Sequence, residues 1–141
     1  MKKIGMLILL FFNVSFLLAQ EETKNGTLVV TLTDFEESGK YVQVGLYNAK
    51  ANWLKKTFKG EVSLVEEGKT KVVFKDLPQG KYAISCFYDL NGNTDLDTGF
   101  MGVPNEPYAF SNNATALFGA PSWRKASFSV DSNEKRISIK F

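Results

Sequence analysis

This sequence predicts an all-β protein, a two-sheet sandwich of about seven short strands, and three observations carry that prediction. Apolar and polar residues alternate with period two through most of the chain. The alternating segments are five to eight residues long and are separated by turns rich in Gly, Asn, Asp and Pro. No stretch sustains a helical period over several turns. Such a pattern fills two packed sheets whose alternate residues face a shared core.

The N-terminus stands apart from this rhythm. Lys2 and Lys3 precede an apolar run over residues 4–19, interrupted only by Gly5, Asn13 and Ser15. A basic segment followed by an apolar one is the pattern of an export signal, here residues 1–19, with cleavage after Ala19. A retained anchor is the alternative. A spanning helix requires roughly 20 apolar residues, and the run stops short of that at Gln20, Glu21 and Glu22. Residues 20–141 then form one β-sandwich domain. The only cysteine, Cys86, lies far from the cleavage point, so it offers no lipid acceptor there and no partner for an intrachain disulfide. Its place in an alternating run makes it a small buried apolar residue.

Within the mature chain, residues 26–32 place Leu28, Val30 and Leu32 on one face, and residues 41–47 place Val42, Val44 and Leu46 on one face. Residues 49–58 break the rhythm and predict a short helix or irregular crossing, with Ala49, Trp53, Leu54 and Phe58 packed inward. Residues 61–65 and 69–74, flanking Glu66-Glu67-Gly68, read as a hairpin. Residues 81–88 are apolar on nearly both faces, with Tyr82, Ile84, Cys86 and Tyr88 sharing one, and this is the candidate for the most central strand. Residues 126–130 and 136–141, joined through Asp131 to Glu134, form a terminal pair. Ile137, Ile139 and Phe141 share its inner face and Ser138 and Lys140 its solvated one.

Charge excludes several functions. The whole chain holds 17 basic and 15 acidic residues and no histidine. Loss of Lys2 and Lys3 with the leader leaves a formally neutral domain, which argues against a nucleic-acid partner. Without histidine, and with one cysteine, zinc has no ligand set and a serine nucleophile such as Ser111 or Ser122 has no partner base. No glycine-rich phosphate cradle opens a helix.

The chemistry-bearing candidate is the loop after residue 88. Asp89, Asn91, Asn93, Asp95 and Asp97 put a side-chain oxygen at every second position, and short oxygen-bearing side chains suit the six to eight ligands of Ca2+. The spacing matches the first part of a helix–loop–helix calcium site, but Thr94 stands where that loop has glycine, Phe100 stands where it has a closing carboxylate, and no helices flank it. Glu106, a main-chain carbonyl or water would have to complete the shell. The competing reading is a turn rich in Asn and Asp that binds its own backbone and no ion. A carboxylate-dependent hydrolase is the third, since paired acids can cleave glycosides, but so polar a loop offers no means of raising one acid's pKa.

Beyond it lies a long aromatic stretch, residues 99–113, followed by residues 114–124. Tyr108, Phe110, Asn112, Asn113, Trp123 and Arg124 form a candidate groove for a glycan or peptide. In the plainer reading Phe100, Phe110 and Phe118 plug the sandwich end while the asparagines cap turns.

Several short motifs occur together: Leu77-Pro78-Gln79-Gly80-Lys81-Tyr82, Asp89-Leu90-Asn91-Gly92-Asn93 with Leu96-Asp97, Gly102-Val103-Pro104, Phe110-Ser111-Asn112-Asn113 and Phe118-Gly119-Ala120-Pro121. In this order they resemble the bacterial family named domain of unknown function 2141, small exported proteins. The resemblance implies a transthyretin-like (prealbumin-like) or immunoglobulin-like sandwich of the accessory kind, and no activity. In that family the loop runs Asp-x-Asn-x-Asn-Gly before Leu-Asp; here Thr94 replaces the glycine and Asp95 adds a carboxylate. The combined expectation is a non-enzymatic binding or accessory module, periplasmic or extracellular and calcium-stabilised, with a glycan, peptide or envelope protein as ligand. The alternative is a structural or interaction domain with no bound ion.

Overall fold

The computed structural model describes residues 24–141; the expected leader lies outside them. Eight strands form the domain: β1 (Gly26–Thr33), β2 (Tyr41–Tyr47), β3 (Lys59–Leu64), β4 (Thr70–Leu77), β5 (Gly80–Asp89), β6 (Tyr108–Phe110), β7 (Phe128–Val130) and β8 (Glu134–Lys140). One short helix, α1 (Trp123–Ala126), precedes β7. The small sheet has the order β4-β1-β8, with β1 and β8 parallel. The large sheet runs β3-β2-β5, and the far edge of β5 is shared by β7, opposite residues 80–82, and β6, opposite residues 85–87.

The core lies between the sheets. Leu28, Val30 and Leu32 of β1 meet Val42, Val44 and Leu46 of β2 and Tyr82, Ile84, Cys86 and Tyr88 of β5, all buried. Period two predicts these faces correctly, and β5 is the central strand that its two apolar faces predict. The eight-stranded, two-sheet arrangement is consistent with a transthyretin-like or immunoglobulin-like architecture. Cys86 is buried and its thiol donates to the Ala109 carbonyl at 3.3 Å. Burial pushes its pKa far above the ordinary thiol range, so it stays a protonated packing residue.

Two pairings differ from the sequence expectation. Residues 61–65 and 69–74 are not one hairpin in one sheet. Glu66 and Lys69 exchange backbone hydrogen bonds of 3.0 and 3.1 Å around Glu67 and Gly68, both with positive φ, as a type I′ turn requires. Beyond that bridge the strands part, β3 joining β2 and β4 joining β1. Burial explains the split, because β4 sends Val72, Phe74 and Leu77 into the core while β3 is an edge strand with Val62 exposed. The terminal segments likewise do not pair with each other: β7 joins β5, β8 lies beside β1, and Ala126 belongs to α1. The turn between β7 and β8 passes directly over Gly26, where any Cβ would strike the Asp131 carbonyl. Alternation fixes which face is buried, but it says nothing about the sheet a strand joins.

Residues 49–58 form the expected irregular crossing, with a 3-10 turn at Lys50–Asn52. Trp53 anchors it, its indole N–H donating to the Pro121 carbonyl at 2.9 Å and its ring lying edge-on to Tyr47, Phe110 and Trp123 at centroid distances of 5.0, 6.0 and 6.0 Å. Leu54 and Phe58 remain partly exposed rather than packed inward. The crossing therefore lies on the outer face of the large sheet, against the segment that precedes α1.

Candidate functional site

The large sheet ends in a buried acid. Asp89 is 2% exposed. Its Oδ1 accepts the Gly92 amide at 2.8 Å, and its Oδ2 accepts the Thr94 amide at 2.9 Å and the Gln43 side-chain amide at 3.3 Å. Removal from water works against its charge, but the amide hydrogens of Thr94 and Gly92, with Gln43 and Asn93, more than offset this and hold its carboxyl below the usual range.

The next residues build two successive Asx turns. Asn91 Oδ1 accepts the Asn93 amide at 3.0 Å and Asn93 Oδ1 accepts the Asp95 amide at 3.0 Å. The side-chain nitrogens of Asn91 and Asn93 then donate to the two oxygens of Asp97. Glu106, 6% exposed, closes the loop from its far end: Oε1 accepts the Leu90 amide at 2.9 Å and Oε2 the Asp97 amide at 3.2 Å. Sequence reasoning gave Glu106 only a supplementary ligand role. Its signal was an acid alone in an apolar stretch, between Asn105 and Pro107.

The five sequence-predicted ligands thus divide. Asp89 turns inward onto backbone amides; Asn91, Asn93 and Asp97 engage one another; Asp95 contributes its main-chain N–H. Among the described residues no group of three or more Asp, Glu, Cys or His is placed to hold a metal. A calcium shell is made of oxygens, and here Asn91 and Asn93 turn nitrogens toward Asp97. This arrangement does not fit the ion without rotation of both amides.

The loop's course creates a cleft. Residues 90–107 fold from the end of β5 back over the outer face of the large sheet, where residues 48–58 and 114–123 meet them. Between these segments lies a cleft of about 360 Å³, within the range of small-ligand sites. Phe87, Tyr108 and Phe110 form its aromatic wall and Leu54, Leu96 and Pro104 its apolar rim. Tyr108 stands half-exposed, edge-on to buried Phe110 at 5.7 Å.

Of the six groove candidates, Tyr108 and Phe110 line this cleft, and with Asn113 they also line an adjacent open depression. Asn112 is tied elsewhere through its side-chain nitrogen, which donates to the carbonyls of Lys125 at 3.0 Å and Ser127 at 2.9 Å. Asn113 Oδ1 accepts the Lys140 amide at 2.9 Å, pinning the end of β8. Both asparagines have positive φ, a conformation their side chains tolerate. Trp123 packs on Trp53, and Arg124 is exposed. Ser111, discounted in the sequence as a nucleophile without a base, is a buried clamp: its hydroxyl accepts the Ile84 amide at 2.8 Å and donates to the Ala126 carbonyl at 2.6 Å. Of the three residues of the expected aromatic plug, one is buried. Phe110 is buried, whereas Phe100 and Phe118 are 89% and 93% exposed.

Asp89, Asp97 and Glu106 are acceptors for N–H groups of the loop and its neighbours, and the buried Ser111 hydroxyl is locked between β5 and α1. Fold and site together define a small β-sandwich domain. The chain belongs to the family described as an uncharacterized protein conserved in bacteria (DUF2141), whose model matches residues 30–138. No curated protein and no solved structure matches the chain.

Thr94, where the family resemblance leads one to expect glycine, sits at φ +69°, a region that costs a residue with a Cβ about 1–2 kcal/mol. Thr94→Gly relieves that strain and loses part of the gain to chain entropy, so it is expected to stabilise the domain by about 1 kcal/mol in urea titrations. Asp89, with its folded pKa below the unfolded value, contributes stability that is present above the unfolded pKa of about 4 and is lost as pH falls through the folded value. The stability gap between wild type and Asp89→Asn should accordingly be constant near neutrality, about 1–3 kcal/mol for the unsatisfied amides, and shrink below about pH 4.

Proposed function

We propose that this protein is an exported, non-enzymatic binding module whose cleft on the outer face of the large sheet takes an apolar or aromatic side chain of an extended peptide, such as a segment of an envelope protein. The observation that carries this reading is the cleft, an aromatic wall of Phe87, Tyr108 and Phe110 beneath a rim of Leu54, Leu96 and Pro104. Its polar groups are few, among them Ser85 and the Tyr47 and Tyr108 hydroxyls. A glycan would ask for more hydrogen-bonding partners, so peptide is preferred. Export rests on the basic-apolar N-terminus, and no helix among the described residues is long and apolar enough to cross a membrane.

In this reading the Asp89–Asp97 loop is a scaffold that needs no ion, since the loop carboxylates of Asp89, Asp97 and Glu106 already accept N–H donors. Calcium is the competing form. Half-turns of Asn91 and Asn93 would bring oxygens toward Asp97, at the cost of the two Asx turns.

Titrating isotopically labelled protein with short Phe- and Leu-containing peptides should perturb the resonances of Phe87, Tyr108 and Leu96 saturably, and Leu54→Asp should abolish this. Saturable perturbation by oligosaccharides alone would overturn the peptide assignment. Thermal melts in chelator and in millimolar calcium should coincide; a saturable rise in Tm with calcium would establish the ion-bound form instead.

A further inference from the structure

The rim of the cleft carries large apolar side chains that touch almost nothing of their own domain. Phe100 and Met101 are 89% and 85% exposed, and Leu117 and Phe118 are 96% and 93% exposed. They occupy two tight tips, the first turned by positive φ at Met101 and Gly102, the second by positive φ at Gly119. The two tips are neighbours, because Gly102 and Gly119 both line the same cleft. Soluble domains rarely display so many protruding apolar residues together, and such a patch marks a contact surface.

Charge indicates what the surface meets. The segments that converge here, residues 48–58 and 90–130, contain Lys50, Lys55, Lys56, Arg124 and Lys125 against three acids, Asp95, Asp97 and Glu106. Glu106 is buried and tied to two backbone amides. The rest of the predicted mature chain has the opposite bias, ten basic residues against twelve acidic ones. Asp95 and Asp97 flank Leu96 and keep their charge, so basic residues outnumber acids on this face by five to three. Asp34, Glu36 and Glu37 line a separate pocket, with Phe35, Tyr88 and Phe141.

Resting on the exported-module reading above, we infer that this face docks on an anionic lipid bilayer, with Phe100, Met101, Leu117 and Phe118 entering the headgroup–acyl boundary and the lysines and Arg124 meeting lipid phosphates. Apolar burial and attraction to anionic headgroups act together in such binding. The shape favours a bilayer over an acidic protein. Side chains that project clear of their own domain require a matching pocket in a protein partner, whereas a bilayer yields to them. Docking this way would also hold the cleft at the membrane surface.

The test is co-sedimentation of the exported protein with vesicles of phosphatidylglycerol and phosphatidylethanolamine, and with vesicles of phosphatidylcholine alone. Binding to the anionic vesicles is expected to exceed binding to neutral ones at least about tenfold, and to fall in high salt as charge is screened. The double variant Phe100→Ser, Phe118→Ser should lose about tenfold in vesicle affinity with an unchanged melting temperature, since neither side chain packs on the domain. Lys55→Gln with Lys56→Gln should weaken only the anionic-vesicle binding. Wild-type protein that ignores anionic vesicles, or a double serine variant that binds them as well as wild type, overturns the inference. So does a concentration-dependent dimer in sedimentation equilibrium that the double variant abolishes, which would assign the patch to a second copy. The peptide titration uses no vesicles, so peptide binding that survives while vesicle binding is absent would sink this inference alone.

Discussion

A carboxylate removed from water has to be hydrogen-bonded, and two such carboxylates, Asp89 and Glu106, govern how this sandwich is finished. Asp89 ends the central strand inside the structure, and the donors that reach its oxygens come from Gly92, Asn93 and Thr94 in the loop and from Gln43 on β2. Satisfying them forces the chain to curl immediately after β5. Glu106 repeats the device sixteen residues later in the direction of Leu90, and nine from Asp97. Leaving any one of these buried groups unpaired costs about 1–3 kcal/mol, which is comparable with the gain from burying a core side chain. Among the described residues no buried side-chain nitrogen or oxygen lacks a partner. The loop that lies across the outer sheet is therefore a hydrogen-bonded part of the fold.

A second fastening acts from the opposite side. Ser111 joins β5 to the last turn of α1, Asn112 holds the carbonyls on either side of Ala126, and Asn113 catches β8. Trp53 completes it by tying the 49–58 crossing to Pro121. With both fastenings in place, segments from three parts of the chain converge over the outer face of the large sheet, and the cleft is the space they leave. The cleft in this domain is thus a by-product of how polar groups are satisfied around a β-sandwich, with the aromatic wall supplied by alternate residues of β5 and β6.

Much of the fold was legible in the sequence because burial leaves a period. Residues 28, 30 and 32, 42, 44 and 46, and 82, 84, 86 and 88 were all assigned to the core from alternation, and all are there. Strand partners were not legible. The 61–74 region carries a sound hairpin turn at Glu67-Gly68, yet its arms enter different sheets, and β6 is too short to register a period at three residues. The site was half legible. Asp89, Asn91, Asn93 and Asp97 form the polar network that their spacing suggested, but spacing cannot distinguish oxygens gathered around an ion from oxygens gathered around amide hydrogens. Asn112 and Asn113 are groove walls in one reading of the sequence and turn caps in the plainer one, and their left-handed backbones and backbone-bonded side chains make them caps.

In the reading proposed above, the buried carboxylates of Asp89 and Glu106, with the backbone bond from Asn105 to Asp97, hold the loop over the sheet without an ion. Amide hydrogen exchange in chelator-treated protein near neutral pH tests it most directly, at Leu90, Gly92, Thr94 and Asp97. The account predicts that these four amides are protected without any added ion and that Glu106→Gln exposes Leu90 and Asp97 first. Rapid exchange at all four in chelator, slowed only when calcium is restored, would contradict it.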